Sequence, residues 1–443
     1  MSEITLYQVL KSRENRARLQ QKLIDAYKHP LVSFTMNIAG PVKNSPLIER
    51  AFKEGLSFLE EKLTKESILS RHTNICDTGC EAILSVSIDA KKLKDICIDI
   101  EDSCPLGRLF DMDVLGADGT KYERKNMRGC IVCGISGRSC AAGRVHSVSD
   151  LQNTTCKIIT QHFKDTDRRK IAELATQSLL QEVNTTPKPG LVDKRNTGSH
   201  ADMDINTFIK SAIALTPYFR ECVAIGQETF DKRPQETFDL LRRAGLIAEQ
   251  TMYQVTGGVN THKGAIYSMG VICGALGRLW TPVVPIAKTD DILLLCSQIV
   301  KNAVKTDFAS MDSSTAGRRL YLEHGITGIR GEVAAGFPSV TDFGLPAYQK
   351  ALKSALTPND AGAFALLHLI ANVEDTNLYQ RGGFAGARYA ADSSKSLLEK
   401  AGYPSTEQIE NLDDDFIARN LSPGGCADLL AATFFLHELQ KGL

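Results

Sequence analysis

Thr186-Pro187-Lys188-Pro189-Gly190-Leu191-Val192-Asp193, continued by Asn196, Gly198, Ser199, His200, Asp202 and Asp204, interrupts a chain that is otherwise helical on both sides of it. Two prolines and a glycine forbid a helix through its start. Upstream, Ile171, Leu174, Ala175, Leu179 and Val183 make one apolar stripe at helical spacing. Downstream the pattern resumes over residues 204–226 and recurs over 237–255, 263–279, 290–304, 361–372, 383–398 and 427–439. Only residues 280–286 hint at extended chain. The segment itself gathers a Lys, a His and three Asp within seventeen residues at the mouth of a new helix. Cations and free N–H groups suit phosphate oxygens, and carboxylates suit a hard cation. A solvated loop closed by an Asp N-cap has the same composition.

Working outward, the chain reads as two parts. At 443 residues it exceeds one typical domain. Of its 34 glycines, 10 precede residue 165, whereas eight of its 12 cysteines do. The first part, residues 1–165, mixes helix and strand signals. Residues 7–29 and 44–63 read as helices, and residues 31–38, 81–88 and 96–100 as strands. A linker is expected near residues 165–168, where apolar periodicity fades into a charged run. The second part, residues 168–443, reads as an all-α domain with Gly-rich loops between its helices. The 52 basic and 52 acidic residues cancel, which argues against a broad nucleic-acid surface. No apolar run approaches a membrane span and the first residues are polar, so a cytoplasmic chain with reduced thiols, outside the membrane, is expected.

In the first part, residues 108–115 (RLFDMDVL) alternate apolar and charged positions, placing Asp111 and Asp113 on one face of a strand. Their carboxylates repel unless a cation lies between them. An Asp-x-Asp strand recurs in nucleotidyltransferases, where Mg²⁺ supports attack on phosphorus with pyrophosphate leaving. The fold expected here is therefore mixed α/β and nucleotidyltransferase-like. Asp99, Glu101 and Asp102 are all open as a third carboxylate. Residues 117–119 (ADG) signal a hairpin turn. Cys130, Cys133, Cys140 and His146 offer zinc-type ligands at unusually short spacing, with buried free thiols as the alternative. Arg138, Arg144 and His146 could instead hold phosphates.

In the second part, several glycine-rich loops open helices: residues 256–264, carrying His262 and Lys263, residues 325–331 with Arg330 and then Glu332, and residues 422–425 before Asp428. Glu374, Asp375 and Asn377 precede Arg381-Gly382-Gly383. Each is ordinary turn chemistry alone, but an all-helical domain needs few such loops. Neither a P-loop nor a dinucleotide fingerprint is present.

These motifs carry a resemblance. Residues from 168 onward resemble the triphosphoribosyl-dephospho-CoA synthases through PKPGLVD with NTGSHADMD, TGGVNTHKGAIYSMG, EHGITGIRGEV, EDTNLYQRGG and LSPGGCADLLAAT, in that order. Residues up to 165 resemble the apo-citrate lyase phosphoribosyl-dephospho-CoA transferases through GRLFDMDVLG, RGCIVC and the Cys–Arg–His tail behind them. A natural fusion of two transferases is implied. One joins ATP to 3′-dephospho-CoA and releases adenine. The other moves the phosphoribosyl-dephospho-CoA group to a serine of the citrate lyase acyl carrier subunit and releases pyrophosphate. Asp111 and Asp113 are then expected to hold Mg²⁺, with Arg108 or Arg138 on the phosphates. In the synthase, Asp202, Asp204, Glu374 and Asp375 are expected near metal, with Glu332 as base. Lys188 and Lys263 are expected on phosphates, and Asp193, His200, His262, Arg330 and Arg381 against substrate. Two alternatives remain: the malonate decarboxylase carrier as acceptor, or a first part that is a non-catalytic zinc scaffold.

Overall fold

Strand β4, Phe110–Leu115, lies inside an antiparallel sheet whose order is β2-β3-β1-β4-β5, with β1 Leu31–Met36, β2 Ile68–Cys76, β3 Gly79–Val86 and β5 Lys121–Tyr122. The computed structural model describes residues 3–309 and 316–442, divided into units Met1–Thr166 and Asp167–Leu443. The first is the small mixed α/β unit. Its helices are α1 Leu6–Tyr27, α2 Pro46–Lys62, α3 Ala90–Ser103 and the short α4 Gly137–Ala142.

The alternation read in the sequence holds: Phe110, Met112 and Val114 are buried, while Asp111 is exposed and Asp113 partly so. On the buried face Phe34 stacks on Phe52 of α2 at 4.9 Å and meets Phe110 edge-on at 5.2 Å. The opposite face pairs Asp111 with Thr35 and Asp113 with Ser33. Helix α1 covers part of that face through Leu23 and Ile24 against Leu31 and Ile83. The expected hairpin turn joins β4 to β5, with Gly119 at φ +81°.

One expectation fails here and one holds only in part, each for an identifiable reason. Residues 96–100 (ICIDI) are helical, inside α3. Their period-two look is accidental, since Leu93, Cys97 and Ile100 bury one helical face. Asp89 caps that helix by accepting from the Lys91 and Lys92 N–H groups. The boundary expected near residues 165–168 is where the two units divide, between Thr166 and Asp167, but the chain there is helical, within α5 Val148–Asn184, and not a loose linker. Thr155, Ile159, Phe163, Asp167 and Ile171 are all buried at four-residue spacing. Thr155 and Asp167 are polar members of that stripe, which hid it. Asp167 is satisfied by the indole N–H of Trp280 at 2.8 Å.

Among the described residues the second unit is helical throughout, and residues 280–286 form no strand. After α5 come α6 Ile205–Ala214, α7 Thr216–Glu228, α8 Pro234–Thr256, α9 Lys263–Leu279, α10 Thr289–Ala309 and α11 Ala316–His324. They are followed by α12 Gly328–Ala334, α13 Leu345–Lys353, α14 Pro358–Asn372, α15 Thr376–Ala401, α16 Thr406–Ala418 and α17 Gly424–Leu439. The pattern over 204–226 divides at Leu215, because Pro217 opens a new helix. Helices α9 and α17 are the core. Residues 268–277 of α9 and 429–436 of α17 are buried. A side chain at Gly226 would strike the Gly274 carbonyl, so α7 and α9 meet backbone to backbone. The N-termini of both helices line a cavity.

Candidate active sites

The cavity of the second unit has a volume of about 750 Å³. The starts of α9, α12, α15 and α17 reach its wall, which are the glycine-rich loops singled out in the sequence. The N-cap residues His262 of α9 and Pro423 of α17 make no side-chain cap bond, and of the first α9 N–H groups Lys263 is met by Asn260 Oδ1 at 3.2 Å. Carboxylates from elsewhere fill part of that need. Asp428 of α17 accepts from the Ala265 N–H of α9. Asp375, the N-cap of α15, accepts from Asn377 N–H at 2.7 Å and from Cys426 N–H of α17 at 2.8 Å. Burial holds both carboxyls above their ordinary range, Asp428 far above it, with Glu182 and Asp375 adding like charge at Asp428.

Seven carboxylates line the cavity (Glu182, Asp202, Glu249, Glu332, Glu374, Asp375 and Asp428) against three permanent cations, Lys263, Arg330 and Arg381. Two of those cations already face carboxylates: Lys263 pairs with Glu249 at 2.9 Å and Arg330 with Asp307 at 3.2 Å. Glu332 is held by Ser339, whose N–H donates at 2.7 Å and hydroxyl at 2.9 Å. Burial raises its pKa, and the Ser339 bonds offset part of the rise.

Two histidines line the wall in defined tautomers. Arg381 donates to His200 Nδ1 at 3.1 Å, so His200 Nε2 carries the proton toward Ser422 Oγ at 2.9 Å. Arg381 itself is fixed by the Ser199 carbonyl and Asn420 Oδ1, each at 2.8 Å. Thr261 donates to Ser211 Oγ at 2.8 Å, which leaves the Ser211 proton for His262 Nδ1 at 2.8 Å. The protonated nitrogen of His262 is then Nε2, which is shielded and has no protein partner. Burial first, and Lys188 second, push the His262 pKa down to about 3. His262 is thus a neutral imidazole in the cavity wall whose one N–H is buried behind the surface and unpartnered.

Three sequence expectations sit elsewhere. Lys188 is 1 % exposed, off the cavity wall, and its ammonium binds Glu182 Oε1 at 2.5 Å and the Glu182 carbonyl at 2.9 Å. It holds a cavity carboxylate and does not face a phosphate. Asp193 closes the opening loop on itself, accepting from Lys188 N–H, Thr186 Oγ1 and Arg195 N–H. Asp204 is the N-cap of α6, with Thr207, and is absent from the cavity lining. The wall does include Asp202, Glu374, Asp375, Glu332, His200, His262, Lys263, Arg330 and Arg381. Sequence reasoning missed Glu182 and Ser211 and named Asp428 without a role. The last had a signal, a lone acid in the otherwise apolar run 426–436.

In the first unit Asp111 and Asp113 share the exposed face of β4. Asp111 is held above the ordinary carboxylate range by its surroundings, then by Asp113 and Glu101. Asp113 pairs with Lys121 at 2.7 Å. None of the three further carboxylates is unpaired. Asp99 meets Lys62 at 3.0 Å, and Asp102 meets Arg124 at 2.8 Å. Glu101 is buried and accepts from the Met112 N–H at 2.8 Å and from Arg128. Arg108 donates to the Gly129 carbonyl and lies near Arg124 and Arg128, a cationic cluster at the start of β4. Helix α4 carries Arg138, whose side chain lies outside those described. The ligand atoms of Cys130, Cys133, Cys140 and His146 lie within 4.8 Å of one another. Among the described residues no carboxylate group converges in that way.

Comparison with known proteins matches each part of the chain to a family. Residues 168–443 match the family model for ATP:dephospho-CoA triphosphoribosyl transferase, and residues 4–162 that for apo-citrate lyase phosphoribosyl-dephospho-CoA transferase. Protein CitXG of Haemophilus influenzae is 36% identical over 99% of this chain and 97% of the relative. The chain belongs to this two-part family. Protein CitXG of Leuconostoc mesenteroides subsp. cremoris is 32% identical over 99% of this chain and 98% of its own. A probable 2-(5''-triphosphoribosyl)-3'-dephosphocoenzyme-A synthase of Vibrio cholerae is 42% identical, covering 62% of this chain and 89% of its own. Both parts are transferases, and the family of the first speaks against a merely scaffolding role. No helix is long and apolar enough to cross a membrane.

Proposed function

We propose that the cavity of the second unit joins ATP to 3′-dephospho-CoA, and that the Asp111–Asp113 face of the first unit passes the product to a serine of the citrate lyase acyl carrier subunit. The observation that carries the synthase reading is the donor set of the cavity: seven carboxyl groups, of which Asp428 is pushed toward its neutral form by burial and Glu182 is already met by Lys188, beside three cations and the starts of four helices. Hard oxygen donors beside helix N-termini suit a triphosphate carried with Mg²⁺. Asp202 and Glu374, the exposed carboxylates of the wall, would hold the ion. When bound, Mg²⁺ neutralises phosphate charge and orients the triphosphate.

The chain's own residues supply the rest. The ribose 2′-hydroxyl of dephospho-CoA attacks C1 of the ATP ribose, forming a C–O bond as the C–N bond to adenine breaks. Glu332 takes the hydroxyl proton, and burial, by raising its pKa, makes it a stronger base than an exposed carboxylate. Asp428, held protonated by burial, gives a proton to the departing adenine. Lys263, Arg330 and Arg381 bear on phosphate oxygens, His200 holds Arg381 in place, and His262 is the neutral imidazole beside the ligand.

For the first unit we propose a nucleotidyltransferase-like reaction. The carrier serine attacks phosphorus, a new P–O bond forms, and the bond to pyrophosphate breaks. Asp111 and Asp113, hard donors on one strand face, would hold Mg²⁺, and Arg108 with its arginine neighbours offsets charge on the leaving pyrophosphate. ATP and dephospho-CoA as substrates place the chain in the cytoplasm. Incubating the protein with ATP, dephospho-CoA, Mg²⁺ and apo carrier, with mass detection of the modified serine, tests the whole reading. A malonate decarboxylase carrier modified in place of the citrate lyase carrier would redirect the acceptor assignment alone.

A further inference from the structure

Cys130, Cys133, Cys140 and His146 serve neither proposed reaction, yet their ligand atoms all lie within 4.8 Å of one another. A tetrahedral zinc ion with Zn–S bonds of about 2.3 Å needs sulfur atoms about 3.8 Å apart. The Cys133 and Cys140 sulfurs lie 3.4 Å apart, close to that spacing and beyond any S–S bond. We propose that these four side chains form a closed structural zinc site that anchors residues 129–146 beside the Asp111–Asp113 face.

The local backbone is shaped for it. Cys130 and Cys133 bracket a tight turn in which Gly134 N–H donates to the Cys130 carbonyl at 2.9 Å and Cys130 N–H to the Ile135 carbonyl at 2.5 Å. Gly134 takes φ +75°, and any side chain at Gly129 would collide with the Gly134 carbonyl. The Val132 N–H points at the Cys130 sulfur at 3.4 Å. Cys140 comes from α4 and is buried, while His146 Nε2 is shielded from solvent and has no hydrogen-bond partner. A buried, unpartnered imidazole nitrogen is costly unless something binds it. Three soft thiolates with one imidazole select zinc over the hard Mg²⁺ expected at the aspartates.

The site has a mechanical consequence. The Gly129 carbonyl, one residue before Cys130, is the acceptor for Arg108. Arg128, two residues before it, donates to the Phe110 carbonyl at 2.7 Å and the Gly107 carbonyl at 3.1 Å. An ion that fixes Cys130 therefore fixes the arginines at the start of β4. Apolar packing does not hold the segment instead, since Val132, Ile135 and Val145 are exposed.

The test uses the full chain without an affinity tag, purified under reducing conditions. Elemental analysis is expected to give about one zinc per chain. Replacement by Co²⁺ is expected to give the intense visible bands of a tetrahedral thiolate site. Cys133→Ser and His146→Ala should each lose the metal and slow carrier modification, while synthesis of the free precursor from ATP and dephospho-CoA continues at the wild-type rate. Protein without zinc whose four thiol and imidazole groups do not take up Co²⁺ overturns the proposal. So does a Cys133–Cys140 disulfide in the active enzyme, or full metal content in both variants.

Discussion

Ser211 Oγ lies 2.8 Å from His262 Nδ1 and, with Thr261 behind it, fixes which nitrogen of that imidazole carries the proton. The donor so defined, Nε2, has no protein partner and belongs to a residue on the cavity wall. That nitrogen is shielded, so a ligand oxygen would meet it only as the wall adjusts on binding. His262→Phe keeps the volume and removes the donor. Loss of one buried hydrogen bond to a charged acceptor is worth about 1.5–3 kcal/mol. Precursor synthesis should fall roughly tenfold to a hundredfold, measured as adenine release. A Ser211→Ala variant frees the tautomer and should fall by less.

The same residue makes stability depend on pH. His262 is neutral in the fold with a pKa near 3, against 6.5 for an ordinary histidine. Between those values the unfolded chain binds a proton that the folded chain does not, so stability falls as pH drops through that window. Going from pH 7 to pH 5 should cost about 2 kcal/mol from this residue alone. Trp280 is the single tryptophan and sits in the second unit, so its fluorescence reports that unit's urea midpoint. His262→Gln should show a smaller drop between the two pH values than the parent.

Lys188 and Glu182 form a buried pair, and burial raises the Glu182 pKa while Lys188 opposes the rise. Lys188→Met strands the carboxylate. A cost of about 3–5 kcal/mol is expected in the same fluorescence midpoint, well beyond what loss of an exposed phosphate contact would give.

Much of this was legible in the chain, and the misses have physical reasons. Alternation gave β4 because its apolar face is fully buried and its aspartates are not. Helical periodicity gave most of the second unit, since its core helices bury long stripes. The ICIDI stretch misled because five residues are too few to tell its alternating isoleucines from a helix that buries Leu93, Cys97 and Ile100. The boundary expected near residues 165–168 holds, but the helix that runs through it was hidden by Asp167, a polar residue buried in an apolar stripe by its bond to Trp280, which no local pattern shows. Lys188 looked like a phosphate ligand by its loop, yet its partner Glu182 lies in the preceding helix. Asp428 stood in plain view, but its importance depends on Gly264 of another helix. Any side chain there would strike its carboxylate.

That contact yields a further expectation. Gly264→Ala should displace Asp428 from the N-terminus of α9, and Asp428→Asn should remove the proposed acid. Both should depress adenine release, the second by roughly 10²–10⁴-fold, the usual worth of acid–base catalysis. Glu332→Gln should do likewise, because the amide still meets Ser339 but no longer accepts the hydroxyl proton. Purified precursor supplied to any of these variants should still be transferred to the carrier.

The central claim, two separate active sites on one chain, is tested most directly by the Asp111→Asn, Asp113→Asn double variant. It is incubated with ATP, dephospho-CoA, Mg²⁺ and apo carrier, and both products are followed by mass spectrometry. The expected result is free triphosphoribosyl-dephospho-CoA accumulating at the parental rate with the carrier serine left unmodified. Equal loss of precursor synthesis and carrier modification, in a variant whose Trp280 fluorescence midpoint is unchanged, would contradict it.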